Sequence, residues 1–219
     1  MKNFDWKENF NWDVIKHNND ELLIKEYITP VSHYKDIVYG NSELLTVVED
    51  NKRIQFDRFY GKPFGGYVYV KPEKPIEYKI LIKDDEQVMV NNLSNLINSY
   101  YKAINSYGNV LVGGWGLGIT AQFLSKNNNV KNITVIEYEK DFVEMMKDYV
   151  PKNVKLLHGD FKKYVDNVKN IDTFIVDIWS FTNKDDRKEL KEYRQKLFEK
   201  FPKSKILTVL NPVRGYNGW

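Results

Sequence analysis

Apolar residues change their spacing near residue 109, and the change divides the chain into two parts. Beyond it, short continuous apolar runs alternate with segments that repeat apolar residues every three or four positions. The runs lie at 109–112, 133–136, 154–157, 173–176 and 206–210. Runs of that length, bounded by turn residues, predict strands buried on both faces. The intervening segments predict helices. One follows Gly118, with Ile119, Phe123 and Leu124 on one face; others are expected over 142–149, 161–168 and 183–201. Asp141, with Glu144 three residues on, is the expected cap of the 142–149 helix, and Pro151 and Pro202 stop the second and fourth. Strands and helices in this rhythm predict an α/β fold: a doubly wound, mostly parallel sheet with helices on both faces.

Ahead of residue 109 the pattern is that of β-structure rich in aromatics. Segments 44–48 and 54–59 flank Glu49-Asp50-Asn51-Lys52 and predict a β-hairpin. A loop over 61–66 follows, then strands over 67–70 and 77–82 around Pro72 and Pro75. Asp84-Asp85-Glu86 is expected to open a helix over about 87–105, with Val90, Leu93, Leu96, Ile97, Tyr100, Tyr101 and Ile104 at helical spacing and Gly108 closing it. Residues 21–28 read equally as a short helix or an extended arm. The expected organisation is a small β-rich N-terminal region, 1–83, and a main domain, 84–219.

Composition narrows the function classes. With 42% hydrophobic and 29% charged residues in 219, the chain can bury a sizeable core. No run approaches the roughly 18 apolar residues of a membrane span. The first residues lack the apolar core of a signal peptide, so a cytoplasmic protein without a membrane partner is expected. The sequence has no cysteine, which excludes disulfides, thiolate metal sites and a cysteine nucleophile within it. His17, His33 and His158 are far apart and lack metal-ligand spacing, so no metal is expected. A net charge of +3 is too mild to signal nucleic acid. Oligomeric state is left open.

Open sheets of this kind bind ligands outside the carboxyl ends of the strands, where the strand order reverses. The first strand runs into Gly113, Gly114, Gly116 and Gly118. Glycines there let the backbone turn sharply and approach a ligand, with N–H groups of the following helix aimed at it. The spacing G-x-G-x-G over 114–118 departs from the dinucleotide fingerprint G-x-G-x-x-G, and no Lys-Ser or Lys-Thr follows, which excludes a phosphate-gripping loop. The second strand ends at Glu137, whose carboxylate can accept from both hydroxyls of a ribose, with Tyr138 as a wall beside a purine. The third leads into His158-Gly159-Asp160-Phe161. Asp160 can accept from an exocyclic amine and also cap the helix that follows, while Phe161 offers an apolar wall. The fourth strand ends in Asp177-Ile178-Trp179-Ser180. Strands one and four flank the reversal, so Asp177 is expected beside the glycine loop, where reaction would occur. Trp115 and Trp179 read either as packing or as aromatic walls for a cation. Phe59, Tyr60, Phe64, Tyr67 and Tyr69 read first as a compact core for the N-terminal region and second as an acceptor pocket.

As a set, 110–118 (Val-Leu-Val-Gly-Gly-Trp-Gly-Leu-Gly), Val135-Ile136-Glu137, Gly159-Asp160-Phe161 and Ile175-Val176-Asp177-Ile178-Trp179 resemble the class I S-adenosylmethionine-dependent methyltransferase superfamily, whose fold is Rossmann-like. The resemblance covers about 84–210. Val112, where most methyltransferases carry an acid, the doubled Gly113-Gly114 and the β-rich N-terminal region are most similar to the spermidine-synthase-like branch. The resemblance implies S-adenosylmethionine as cofactor. Gly114, Gly116 and Gly118 would contact its methionine part, Glu137 its ribose, and Asp160 with Phe161 its adenine; Gly113, Trp115 and Tyr138 are the further residues expected to line the cofactor site. Asp177 would be the catalytic residue, orienting or deprotonating a small-molecule acceptor, while alignment of the reacting atoms supplies most of the acceleration.

Departures from that pattern separate the possible activities. Aminopropyltransferases carry an acid in the glycine loop, where this chain has Leu117, and a Ser/Asp-rich stretch after the fourth strand, where it has Ile178-Trp179-Ser180-Phe181. Both differences weigh against aminopropyl transfer and for methyl transfer. Asn211-Pro212 follows the fifth strand rather than the fourth, so it does not match the motif of amino-directed methyltransferases. The fold is expected to be C-terminally shortened, leaving either a five-stranded sheet or an edge covered by N-terminal strands. That shortening and Val112 also raise a non-catalytic S-adenosylmethionine-binding module as an alternative.

Overall fold

The computed structural model describes residues 14–18, 21–24, 28–49, 54–56, 68–72, 74–178 and 184–208. Five strands form one parallel sheet: β9 (Gly108–Gly113), β10 (Val130–Glu137), β11 (Val154–His158), β12 (Thr173–Val176) and β13 (Lys205–Thr208), in the order β11-β10-β9-β12-β13. Every pairing in it is parallel. The chain winds outward from β9 through β10 to β11, crosses back to β12, and winds the other way to β13. The order therefore reverses between β9 and β12. This is a doubly wound, Rossmann-like sheet, as the alternating pattern predicts.

Alternation along these strands supplies two cores. Val110, Val112, Ile133, Val135, Ile175 and Leu207 pack on one face with α1 (Leu93–Ile104), α2 (Ile119–Leu124) and α3 (Lys140–Met146). Leu111, Ile136, Phe174, Val176 and Ile206 pack on the other with α4 (Phe161–Asp166) and α5 (Lys184–Lys200). Because both faces are covered, the central stretches of these strands are apolar at consecutive positions, which is why they are legible as runs.

The remaining strands are antiparallel in the main. β3 (Ile37–Tyr39), β4 (Ser42–Glu49), β7 (Ile76–Lys83) and β8 (Glu86–Val90) form a sheet in the order β3-β4-β7-β8. β1 (Val14–Asn18), β2 (Glu21–Ile24), β5 (Ile54–Phe56) and β6 (Val68–Pro72) form another, in the order β1-β2-β6-β5. The segment at 21–28 thus begins as a strand. Among the described residues, neither sheet adds a strand to an edge of the parallel sheet.

Three local expectations are corrected. The segments at 44–48 and 54–59 do not form a hairpin with each other: β4 pairs with β3 and, from Ser42↔Lys83 to Glu49↔Ile76, with β7, while β5 pairs with β6. Asp84-Asp85-Glu86 does not open a helix. Asp84 and Asp85 take left-handed φ of 49° and 62°, and Lys83 pairs with Glu86 across them, a two-residue hairpin turn joining β7 to β8. Short polar side chains tolerate that conformation, so an acidic pair reads the same way in a turn as before a helix. The helix starts later, at Leu93, where Asn92 caps it by accepting from the Asn95 N–H at 3.0 Å. Third, Asp141 does not cap α3. It lies in the first turn, and Glu139 occupies the cap position without a side-chain hydrogen bond.

The β3-β4-β7-β8 sheet is tied to the parallel domain on the side of the glycine turn. Tyr34 stacks on Tyr149 with ring centroids 4.1 Å apart, Gln122 Nε2 donates to the Tyr34 hydroxyl at 3.1 Å, and Lys83 pairs with Glu139. No helix among the described residues is long and apolar enough to cross a membrane.

Candidate functional site

At the reversal point, β9 delivers its glycines between the ends of β10 and β12. Gly114 N–H donates to the Ile136 carbonyl at 2.9 Å on one side, and Asp177 N–H donates to the Gly113 carbonyl at 3.1 Å on the other. Gly114 has φ +86°, and a Cβ on it would run into the Asp177 carbonyl oxygen. Here only glycine fits, for space and conformation alike. A Cβ on Gly113 would run into Ile178 and the Phe161 ring. Gly116 (φ +54°) faces Met89 Sδ, and Gly118 (φ +73°) lies against the Trp115 indole. Met89, on β8, also accepts from the Leu117 N–H at 3.3 Å.

Glu137 ends β10 facing the same turn. Its Oε2 accepts from the Trp115 N–H at 2.6 Å and its Oε1 from the Glu139 N–H at 2.9 Å. The residue is 6% exposed. Burial pushes its carboxyl pKa up, against the opposing pull of the Glu139, Trp115 and Gly116 N–H groups. The carboxylate thus laces the glycine turn to the end of the neighbouring strand.

The other expected residues are distributed as follows. Asp160 caps α4, accepting from the Lys162 N–H at 2.8 Å and the Lys163 N–H at 3.4 Å. Phe161 is buried beside Gly113, in the core under α4. Tyr138 is 70% exposed. Trp115 is in the core at 5% exposure, and its Nε1 has no hydrogen-bond partner among the described residues. Its side chain therefore packs under the turn rather than forming an open wall. Trp179, Ser180, Phe181, Phe59, Tyr60, Phe64, Tyr67 and Asn211-Pro212 lie outside the described residues.

Asp177 follows β12 and is paired in a way the sequence did not announce. Lys102 Nζ of α1 donates to its Oδ2 at 2.7 Å. The lysine side chain is 4% exposed and the aspartate side chain 33%. Lys102 lies on the inward face of α1 with the buried Ser99 and Ala103, and a lysine at an inward position is the one signal that could have flagged it. The structure therefore brings together Gly113, Gly114 and Asp177 across β9 and β12, and Trp115 and Glu137 across β9 and β10. Lys102 and Met89 are the two neighbours sequence reasoning missed.

No family model matches the chain. A 1,4-alpha-glucan branching enzyme of Clostridium perfringens is 21% identical over 194 residues, an alignment that takes in 72% of this chain and 28% of that enzyme. Similar solved structures include precorrin 8W decarboxylase of Methanobacterium thermoautotrophicum (18% identity, TM-score 0.39, 54% of this chain and 62% of that one). They also include spermidine synthase of Thermotoga maritima (14%, 0.35, 60% and 54%). A third is a tRNA (uracil-54, C5)-methyltransferase of Pyrococcus abyssi (14%, 0.34, 80% and 43%). The chain thus spans about a quarter of its curated relative and roughly half of these structures. At such identities and scores, the fold class rests on the strand order itself.

Proposed function

We propose that the chain binds S-adenosylmethionine at the end of β9 and transfers its methyl group to a small-molecule acceptor. The observation that carries this is the Trp115 N–H to Glu137 contact of 2.6 Å, which sets an acid of the second strand against a glycine turn at the reversal of the sheet. The donor set fits such a cofactor. A carboxylate has about four lone-pair sites, and the Trp115, Glu139 and Gly116 N–H groups at Glu137 leave capacity for a ribose hydroxyl. Gly113 and Gly114 let the turn lie against Phe161, Ile178 and the Asp177 carbonyl, which sets its shape. When bound, the cofactor would supply a methyl group already activated on a sulfonium. In this reading the chain's own residues bind and align: Gly113, Gly114, Gly116 and Gly118 with Trp115 shape the turn, Glu137 holds the ribose side, and Tyr138, Asp160 and Phe161 the adenine side. Asp177 orients the acceptor by accepting a hydrogen bond from its O–H or N–H on a carboxylate oxygen. Residues 84–219 would carry the cofactor and 1–83 would cover the acceptor side.

Isothermal titration with S-adenosylmethionine and S-adenosylhomocysteine is the direct test, with dissociation constants below millimolar expected. Glu137→Ala should weaken binding by ten- to a hundredfold, since hydrogen bonds to charged groups are worth roughly 1.5–3 kcal/mol. Asp160→Ala should weaken it less, because its carboxylate already caps α4. No binding below millimolar would end the proposal. A second reading, a cofactor-binding module without turnover, is favoured by the Lys102–Asp177 pair, in which the carboxylate assigned to the acceptor is already engaged by a buried lysine. Binding without S-adenosylhomocysteine release across an acceptor library would select it.

A further inference from the structure

We infer that the Lys102–Asp177 pair makes this site select an uncharged acceptor, one offering an O–H or a neutral N–H, and reject ammonium-bearing ones. The inference rests on the methyl-transfer reading only in taking Asp177 as the acceptor's contact. Three observations carry it. Lys102 Nζ sits 2.7 Å from Asp177 Oδ2, so the carboxylate's charge is already met by a cation. The lysine is the more deeply buried partner, at 4% against 33%, so it is fixed on the inner side and the aspartate presents the open side. Lys102 belongs to α1, whose Leu96 and Ala103 lie in the same core as Val110 and Val112 of β9, so the helix that carries it is held in place.

A guest ammonium that came to Asp177 would lie within a few ångströms of the lysine's charge, where water screens poorly, and the two cations would repel. An anion would meet the aspartate itself. A neutral donor needs only a free lone pair on a carboxylate oxygen, and the partly exposed carboxylate has such capacity. The nearest further acid at a strand end is Glu137. It stands two strands away, about 10 Å by strand spacing, and faces the glycine turn. It cannot replace the charge that Lys102 cancels.

Putrescine, a dication, and 1,4-butanediol, its neutral counterpart of equal length, are the probes. They are titrated by ligand-observed NMR and calorimetry into the full chain, with and without S-adenosylhomocysteine. The wild type should show no saturable putrescine binding up to 10 mM, while Lys102→Met gains it with an affinity at least tenfold higher, and Lys102→Met/Asp177→Asn loses it again. Lys102→Arg should keep the wild-type exclusion. Lys102→Gln serves if the methionine variant does not fold. Saturable putrescine binding by the wild type overturns the inference whatever the variants do, and so does a folded Lys102→Met that gains nothing. The cofactor titrations above are read separately, so failure to bind S-adenosylmethionine sinks the methyl-transfer reading without touching this result.

Discussion

Glu137 at the end of β10 and Asp177 after β12 stand on either side of the strand that feeds the glycine turn, yet their partners differ in kind. Glu137 is held by backbone amides, those of Trp115 and Glu139, and is almost wholly buried. Asp177 is held by one side chain from a helix, and that side chain is buried more deeply than the aspartate. A carboxylate bonded to backbone cannot be changed without disturbing the loop, because buried N–H groups are costly to strand. One bonded to a side chain can be edited together with its partner. The β10 end therefore ties its carboxylate to the folding of the loop, whereas the carboxylate at the β12 end can be changed together with its partner.

Gly114 touches both ends, and its change has the largest expected effect. Gly114→Ala forces an L side chain to φ +86° and drives a Cβ into the Asp177 carbonyl. Left-handed conformation costs about 1–2 kcal/mol and overpacking about 1–3 kcal/mol, so a loss of about 3 kcal/mol is expected in denaturant unfolding. A loss below about 1 kcal/mol would mean that β9 and β12 are not held this closely.

The next effect separates the two partners at the β12 end. Asp177→Asn leaves a buried ammonium without its counter-charge, which should cost about 2–3 kcal/mol, discounted from the range for fully buried pairs because the aspartate is partly solvated. Lys102→Met leaves a carboxylate that water reaches, and should cost less. The double variant should recover most of the Asp177→Asn loss, a coupling that a double-mutant cycle reads directly. If Asp177→Asn costs no more than Lys102→Met, the lysine is not as deeply placed as its 4% exposure implies. Turnover of Asp177→Asn should accordingly be compared with the double variant, per folded molecule.

The same contrast explains what the sequence made legible. The parallel sheet was readable because its strands are covered on both faces, and burial of Leu111, Val112, Phe174 and Ile175 is written as uninterrupted apolar runs. The glycine turn and the strand-end acids followed from the strand positions. The antiparallel sheet was not readable to the same degree. Which strand β4 joins is decided by a partner more than thirty residues away, at Ser42↔Lys83, and not by the polar stretch after it. Asp84-Asp85 served a turn as readily as a helix start. At the site, the Lys102–Asp177 contact joins residues 75 positions apart, and only a lysine on an inward helix face hinted at it. Local chemistry was legible; pairing at a distance was not.

The smallest expected effect tests the β10 end by pH. Glu137 titrates in the folded chain above its ordinary value of 4.5, with burial as the largest cause. Between 4.5 and that raised value, the folded chain binds more protons at this group than the unfolded chain does. The slope of unfolding free energy with pH is proportional to protons bound unfolded minus protons bound folded, so it is negative there. The group's contribution is therefore fully present below about 4.5 and is lost as pH rises through the folded value. Glu137→Gln has no such proton. Its unfolding free energy, subtracted from that of the wild type at each pH, cancels every other carboxylate to first order. The difference should be most favourable to the wild type at the acid end and decline towards neutrality. The decline should be shallow, because the Glu139, Trp115 and Gly116 N–H groups favour the ionised form and oppose the effect of burial. A difference that instead grows towards neutral pH would mean that these amides outweigh desolvation. Glu137 would then be an anion that the loop was built to hold, and the contrast with Asp177 would lie in the partners alone.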